Sequence, residues 1–273
     1  MNVGAGSSAT QHEMSAFDLK QTWVHYFNSM IEVTATVRSE IAPTGTLRVG
    51  LNRSNFLLTR TDASSGQPAG LAHDLACELA RQLGLPVSMH PYPNPGVLVD
   101  NANQNEWDVC FLAFEPQRAK EIDFTAAYVE IDATYLVPPG SPLGRAEEVD
   151  CKGIRIIAPN RAAYELYLTR TLKHATLTRE LGADASFKRF VDEGFDAFAS
   201  LRPRLVSDQE TLPGSRIVEG RFTAVQQAAG VPKGRPGAAK YLRTFIEDIK
   251  VSGLVVKTIK DNNITGLTIA PQA

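Results

Sequence analysis

The feature that most constrains the fold is an alternation of short apolar runs and amphipathic helical patterns, punctuated by Gly and Pro. It is clearest in GLAHDLACELARQLGLP, where Leu71, Leu75, Leu79 and Leu83 recur every fourth residue. That period places them on one face of an α-helix. Gly84 and Pro86 mark its end, the first because it tolerates left-handed backbone, the second because it cannot continue the helix. LRVGL (47–51) alternates as a strand, and Val87 to His90 reads as the next one. Asp108 to Leu112 is an apolar run of buried-strand type, and Glu115 to Ile122 resumes a helical pattern. Strand and helix in alternation indicate an α/β unit with a mostly parallel sheet.

A second unit follows the Pro/Gly-rich connection PPGSPLG (138–144). IRIIA (154–158) reads as a strand. RAAYELYLTRTL (161–172) reads as a helix with Tyr164, Tyr167, Leu168 and Leu172 on one side. SFKRFVDEG is a short helix ending at Gly194, and FDAFASL (195–201) is another buried strand. In the tail, Tyr241, Leu242, Phe245, Ile246 and Ile249 form the apolar face of a helix that Gly253 ends. LVVKTIKDNN follows as a last short helix. This tail is too small for a third domain, so it packs on one of the two units. At the other end, Trp23, Phe27, Met30, Ile31, Val37 and Ile41 fall near one face of a helical pattern from Ser15 to Ile41. Such a helix either packs on the body of the protein or pairs two copies of it.

Length and composition suit this picture. The 273 residues are enough for one large domain or two modest ones, and 43% apolar residues are ample for a core. A formal charge of -2 argues for neither nucleic acid nor an anionic membrane as partner. No apolar run approaches the roughly 18 residues that cross a bilayer. The start, MNVGAGSSATQHE, is polar and Gly/Ser-rich and lacks the pattern of a secretory leader. A leader already removed and a chain that is not exported both remain open. The three cysteines form no CxxC pair and stand at no zinc spacing, so neither metal nor cofactor is expected. Cys77 and Cys110 lie in apolar patterns and read as small buried hydrophobes. No GxSxG, Walker, HExxH or dinucleotide fingerprint occurs.

Four stretches, in order, carry a resemblance. They are GTLRVGLNRSNF, GLAHDLACELARQLGLPVSMHPYP, WDVCFLAFEPQRAKEIDFTAAYV and AVQQAAGVPKGRPGAAKYLRTFIEDIKVSGLVVKTI. From about Gly45 to Asp261 the chain resembles the extracellular solute-binding proteins of family 3, which serve ABC importers of polar amino acids and related solutes. The resemblance implies an α/β, two-lobed periplasmic-binding-protein-like fold of type II, with two Rossmann-like lobes joined by two hinge strands. Residues 1–43 would be an N-terminal tail and extra helix. Residues 44–133 plus 227–273 would form lobe one and 134–226 lobe two, with crossings near Asp132–Leu136 and Phe222–Gln227. It also implies a small-molecule ligand in the interlobe cleft, an ABC permease as partner, hinge closure and a periplasmic location.

In the family, an arginine of the third stretch clamps the ligand's α-carboxylate, and the matching residue here is Arg118. A guanidinium suits this, because its planar fork meets both carboxylate oxygens. The alternative is a helix-surface arginine paired with Glu115 or Glu121. The family's usual Ser or Thr five residues earlier is Ala113 here, which keeps only its backbone N–H. The second lobe's Gly-Thr-Thr-like turn is matched by Asn160, Arg161, Ala162 and Ala163. Arg161 adds a cation there, either toward ligand or toward solvent.

The most informative departure follows FDAFASL. Amino-acid-binding members place an Asp there against the ligand's ammonium. Here the position is Leu201, with Ser200 before it and Arg202 after it. An ammonium left unpaired in a closed cleft is costly. The implied ligand is a small carboxylate or amino-acid-like solute, and this departure favours an acid lacking an α-ammonium, such as a dicarboxylate or an oxo- or hydroxy-acid. Arg53, Arg161 and Arg202 are further candidate cations near it. Asn52, Arg53 and Phe56 follow the first strand, where the family sets side chains against ligand. Phe56 and Phe114 either wall the cleft or belong to the core. Gln226 and Gln227 either bond ligand or pair at the hinge, and Asp123 and Tyr128 read as structural. The alternative function is an enzyme on this scaffold, dehydratase- or isomerase-like, acting on a small carboxylic acid and possible in the cytoplasm. Its nearest acid–base candidates are Glu115, Glu130 and His73. Glu115 reads as a helix cap or solvated side chain, and His73 as exposed.

Overall fold

In the computed structural model, which describes residues 33–273, a ten-stranded sheet forms the backbone of both lobes. The elements in order are α1 (Ala35–Ile41), β1 (Leu47–Asn52), the short pair β2 (Arg60–Thr61) and β3 (Pro68–Ala69), and α2 (Leu71–Leu83). Next come β4 (Val87–Tyr92), α3 (Pro95–Asp100), β5 (Val109–Ala113) and β6 (Ile122–Val137). The chain continues with β7 (Arg155–Pro159), α4 (Ala163–Thr171), β8 (Thr176–Glu180), α5 (Ala183–Asp192), β9 (Ala197–Leu201), α6 (Arg202–Thr211) and β10 (Arg216–Ile217). It ends with β11 (Thr223–Pro232), α7 (Pro236–Val251), α8 (Leu254–Asp261) and β12 (Thr268–Ile269).

The strand order is β4-β1-β5-β11-β6-β9-β7-β8, with β10 and β12 added alongside β6. β1, β4 and β5 pair parallel in the first lobe, and β7, β8 and β9 do so in the second. β6 and β11 are antiparallel to their neighbours and join the two sets. β6 runs 16 residues without a break. Its first part pairs with β11 beside β5, and Ala133 to Leu136 pair with β9. These are the two hinge strands. The lobes keep separate cores, one around Trp107, Leu98, Cys110 and Leu112, the other around Tyr135, Ile156, Leu168 and Ala197.

α2 forms where the leucine period predicts it. Its apolar face is fully buried, and Gly84 closes it at φ 62° with its N–H on the Ala80 carbonyl. Each buried leucine contributes about 1.5–3 kcal/mol of transfer free energy, which outweighs any local preference. α7 packs on α1, β6 and β11, and α8 packs on α2, so the tail completes the first lobe. Val37 and Ile41 are buried on α1. Trp23, Phe27, Met30 and Ile31, with the remainder of the expected N-terminal helix, lie outside the described residues.

The helical reading of Glu115 to Ile122 is corrected. Only a three-residue 3-10 turn, Arg118–Lys120, forms there, and Ile122 already opens β6. The charged pattern EPQRAKEI looks helical locally, but β11 offers Ile122 to Phe124 a ladder of partners more than a hundred residues away. Gly230 of β11 lets the strands meet. A Cβ there would stand 2.5 Å from Ile122 Cγ2.

Candidate ligand site between the lobes

Arg118 is carried by the 3-10 turn that follows Pro116, and it is only 4% exposed. Its Nη1 donates to the Ala113 carbonyl at the end of β5, at 2.8 Å. Its Nη2 donates to the Arg161 carbonyl of the second lobe, at 2.9 Å. Among the described residues, the ion pairs of Glu115 and Glu165 are made to other arginines, and none is made to Arg118. Burial pushes the Arg118 guanidinium down to about 10, and the nearby Glu115 charge opposes that shift. The side chain is thus neither a surface residue nor half of an internal salt bridge.

The turn that faces it is built by Glu165, itself buried on α4. Glu165 accepts from the Arg161 N–H at 2.9 Å and from Arg179 Nε at 2.7 Å. Arg161 adopts φ 60°, which turns its carbonyl toward Arg118. The Asn160 N–H bonds the Glu180 carbonyl, and the Ala162 N–H bonds that of Pro159. The Arg161 guanidinium is partly exposed to solvent, but it is already engaged. It forms two 2.7 Å bonds to Asp100 of α3, across the gap between lobes. Gly96 makes room for it, since a Cβ there would lie 2.7 Å from the guanidinium.

A cavity of about 270 Å³ opens beside this contact. Phe114, Glu115 and Pro116 line it from the first lobe, Ala163 and Arg170 from α4, and Thr223 to Gln226 from the hinge strand β11. Glu115 is buried and bonded to Arg170 Nη1, so it neither caps a helix nor faces water. Gln226 accepts from the Phe114 N–H at 2.8 Å and donates to Glu130 at 3.2 Å. Gln227 is buried and pairs with Ala113 and Val129 in the sheet. Glu115 and Arg170 offset each other. Arg118 is not among the residues that line the cavity, and among the described residues it has no ion-pair partner. Ala163 and Arg170 stand seven residues apart, two turns of one helix face, so Arg170 was within reach of the sequence pattern.

Leu201 ends β9 and begins α6 without a side-chain cap. Ser200 Oγ lies 3.4 Å from the Tyr164 hydroxyl. Arg202 is committed to the Gly220 carbonyl and to Asp132, at 3.6 Å. Asp132 also pairs with Arg221, and Asp208 of α6 pairs with Arg204 at 2.8 Å. The acids nearest this strand end therefore already have cationic partners.

Other expected site residues fall elsewhere. Asn52 accepts from the Ser54 N–H and hydroxyl, and Arg53 is exposed. Phe56 lines a separate cavity of about 250 Å³ with Leu57, Arg60, Asn262 and Ile264. Phe114 meets Phe124 edge-on, so the two expected aromatic walls do not share one cavity. Asp123 pairs with Lys233, and Tyr128 is fully buried. His73 is not exposed. It is half-buried, between Asp74 and Cys77, and Cys77 is itself only half-buried.

The chain matches the bacterial extracellular solute-binding proteins, family 3, over residues 47–262, and it belongs to that family. Among curated proteins, none matches it. Three solved structures illustrate the likeness of fold. One is an ancestral amino acid-binding protein described as a precursor of cyclohexadienyl dehydratase. It is 21% identical, with 84% of this chain and 99% of that one covered at a TM-score of 0.68. Another is a putative ABC transporter binding component from Wolinella succinogenes complexed with lysine, at 19% identity, 80% and 95% coverage and a TM-score of 0.68. The third is an amino acid ABC transporter substrate-binding protein from Streptococcus pneumoniae bound to L-arginine, at 20% identity, 81% and 96% coverage and a TM-score of 0.65.

Proposed function

We propose that this protein captures a small carboxylate in the cleft between its lobes and delivers it to an ABC-type permease outside the cytoplasm. Lobe one would be 44–133 plus 227–273, and lobe two 134–226. The observation that carries this reading is the buried Arg118, which has two carbonyl acceptors and no ion-pair partner among the described residues. A buried guanidinium normally needs an anion to offset its desolvation. A ligand carboxylate would supply that anion, and each charged hydrogen bond would contribute about 1.5–3 kcal/mol. Ala113, Phe114, Ala163 and Gln226 are the neighbours from which ligand contacts would come.

The ligand would lack an α-ammonium. Leu201 offers no counter-charge, and Asp132 and Asp208 are already paired with arginines. Glu115 lines the cavity, but an ammonium would have to displace Arg170 from it. The competing reading is an enzyme on this scaffold. Its candidates Glu115 and Glu130 are engaged by Arg170 and Gln226, which favours binding over turnover.

A thermal-shift screen of mono-, di- and tricarboxylates beside glutamate, lysine and arginine tests the reading. A ligand at 100 times its Kd adds about 2.7 kcal/mol of stability. Plain acids are expected to stabilise the protein. Stabilisation by amino acids alone would overturn the proposal.

A further inference from the structure

Helix α2 carries a second chemical feature, none of whose residues lines the interlobe cavity. Cys77 Sγ lies 3.7 Å from His73 Nε2 and 4.0 Å from Nδ1, one helical turn away. The sulfur thus lies beside the ring, at similar distances from both nitrogens. His73 Nδ1 lies 2.9 Å from Asp74 Oδ1. Asp74 Oδ2 in turn accepts from Asn262 Nδ2 at 2.7 Å. Asn262 is buried at the end of α8 and also donates to the Thr258 carbonyl, so its amide is fixed. Two elements therefore hold a thiol, an imidazole, a carboxylate and an amide in sequence. The contact with Cys77, helped by Asp74, raises His73 to about 9 against the opposing effect of burial. A thiol beside an imidazole that a carboxylate in turn orients is the arrangement of an activated nucleophile.

We propose that Cys77 is a reactive thiol, activated by His73, that exchanges with low-molecular-weight disulfides. The thiolate attacks one sulfur of the incoming disulfide. The old S–S bond breaks as the new one to Cys77 forms, and the departing thiolate takes a proton from solvent. The disulfide is the oxidant, and an extracellular setting supplies such compounds. Internal controls are built in. Cys151 is exposed and has no such partner among the described residues, and Cys110 is fully buried.

The test is the rate at which each cysteine forms a mixed disulfide with an excess of cystine at pH 7, followed by mass spectrometry of the intact and digested protein. Cys77 is expected to react about tenfold faster than Cys151, and His73→Gln to remove that advantage while Cys151 keeps its rate. Continued protection of Cys110 reports that the variant is folded. If wild-type Cys77 reacts no faster than Cys151, the proposal is overturned without recourse to any variant. It is equally overturned if Cys77 in a folded His73→Gln protein keeps its full rate.

Discussion

Arg118 decides between two accounts that differ in a measurable way. If it is a strut, its bonds to the Ala113 and Arg161 carbonyls hold the lobes together. If it is a ligand clamp, the free protein bears the cost of a buried, unpaired guanidinium. Replacing even a buried ion pair by apolar side chains of similar volume is often neutral or stabilising, and an unpaired buried charge has less to lose. Arg118→Met is therefore expected to leave the ligand-free protein as stable as wild type or more so, as read by urea denaturation. A loss above about 3 kcal/mol, the range for breaking a needed buried pair, would mark it as a strut. That Arg118 is buried was to be expected only from the order of four segments, since a lone arginine in a charged stretch reads as surface. The acid of the cavity wall, Glu115, reads from the sequence as a cap or a solvated side chain, yet it is buried. Its cation, Arg170, stands 55 residues away, and no local pattern reports that distance.

At the scale of elements, the legible pieces are those whose signal is local. α2 shows its leucine period and its Gly84 stop, and β1, β5, β7 and β9 are short apolar runs bounded by turns. The first half of β6 was hidden because its state depends on β11, a strand almost at the other end of the chain. β8 was hidden too, because TLTRE is a polar edge strand with little apolar signal. α6 begins directly at the end of β9, and Pro203 in its first turn suits a helix start as well as a loop. The β6–β11 pairing has a sharp test at Gly230. Gly230→Ala would set a methyl 2.5 Å from Ile122 Cγ2 and 3.2 Å from Phe124, between paired backbones that have little freedom to part. The substitution is expected to destabilise the protein by about 1–3 kcal/mol in thermal or denaturant unfolding. An unchanged midpoint would mean that the hinge ladder is looser than described.

For the whole molecule, the polar contacts between the lobes include Arg118 on the Arg161 carbonyl, Arg161 on Asp100, and Arg170 on Glu115. Their weights differ. Arg161 and Asp100 are both more than 40% exposed, so that pair contributes only about 0–1 kcal/mol. Glu115 is 8% exposed, and stripping its partner leaves a buried charge that opening would return to water. Arg170→Ala is thus expected to shift the ligand-free protein toward an open form, seen as a larger radius of gyration in small-angle scattering, more than Asp100→Ala does. Identical profiles for wild type and Arg170→Ala would show that this pair does not bias closure.

Calorimetric titration bears most directly on the anion site. The acid that stabilises the protein best would be titrated beside its α-amino counterpart of equal chain length, into wild type and Arg118→Met. The acid is expected to bind wild type at least about tenfold more tightly than the amine-bearing analogue, a difference of about 1.4 kcal/mol, and to lose its binding in the variant. Tighter binding of the amino acid, or undiminished binding of the acid to Arg118→Met, would contradict the account.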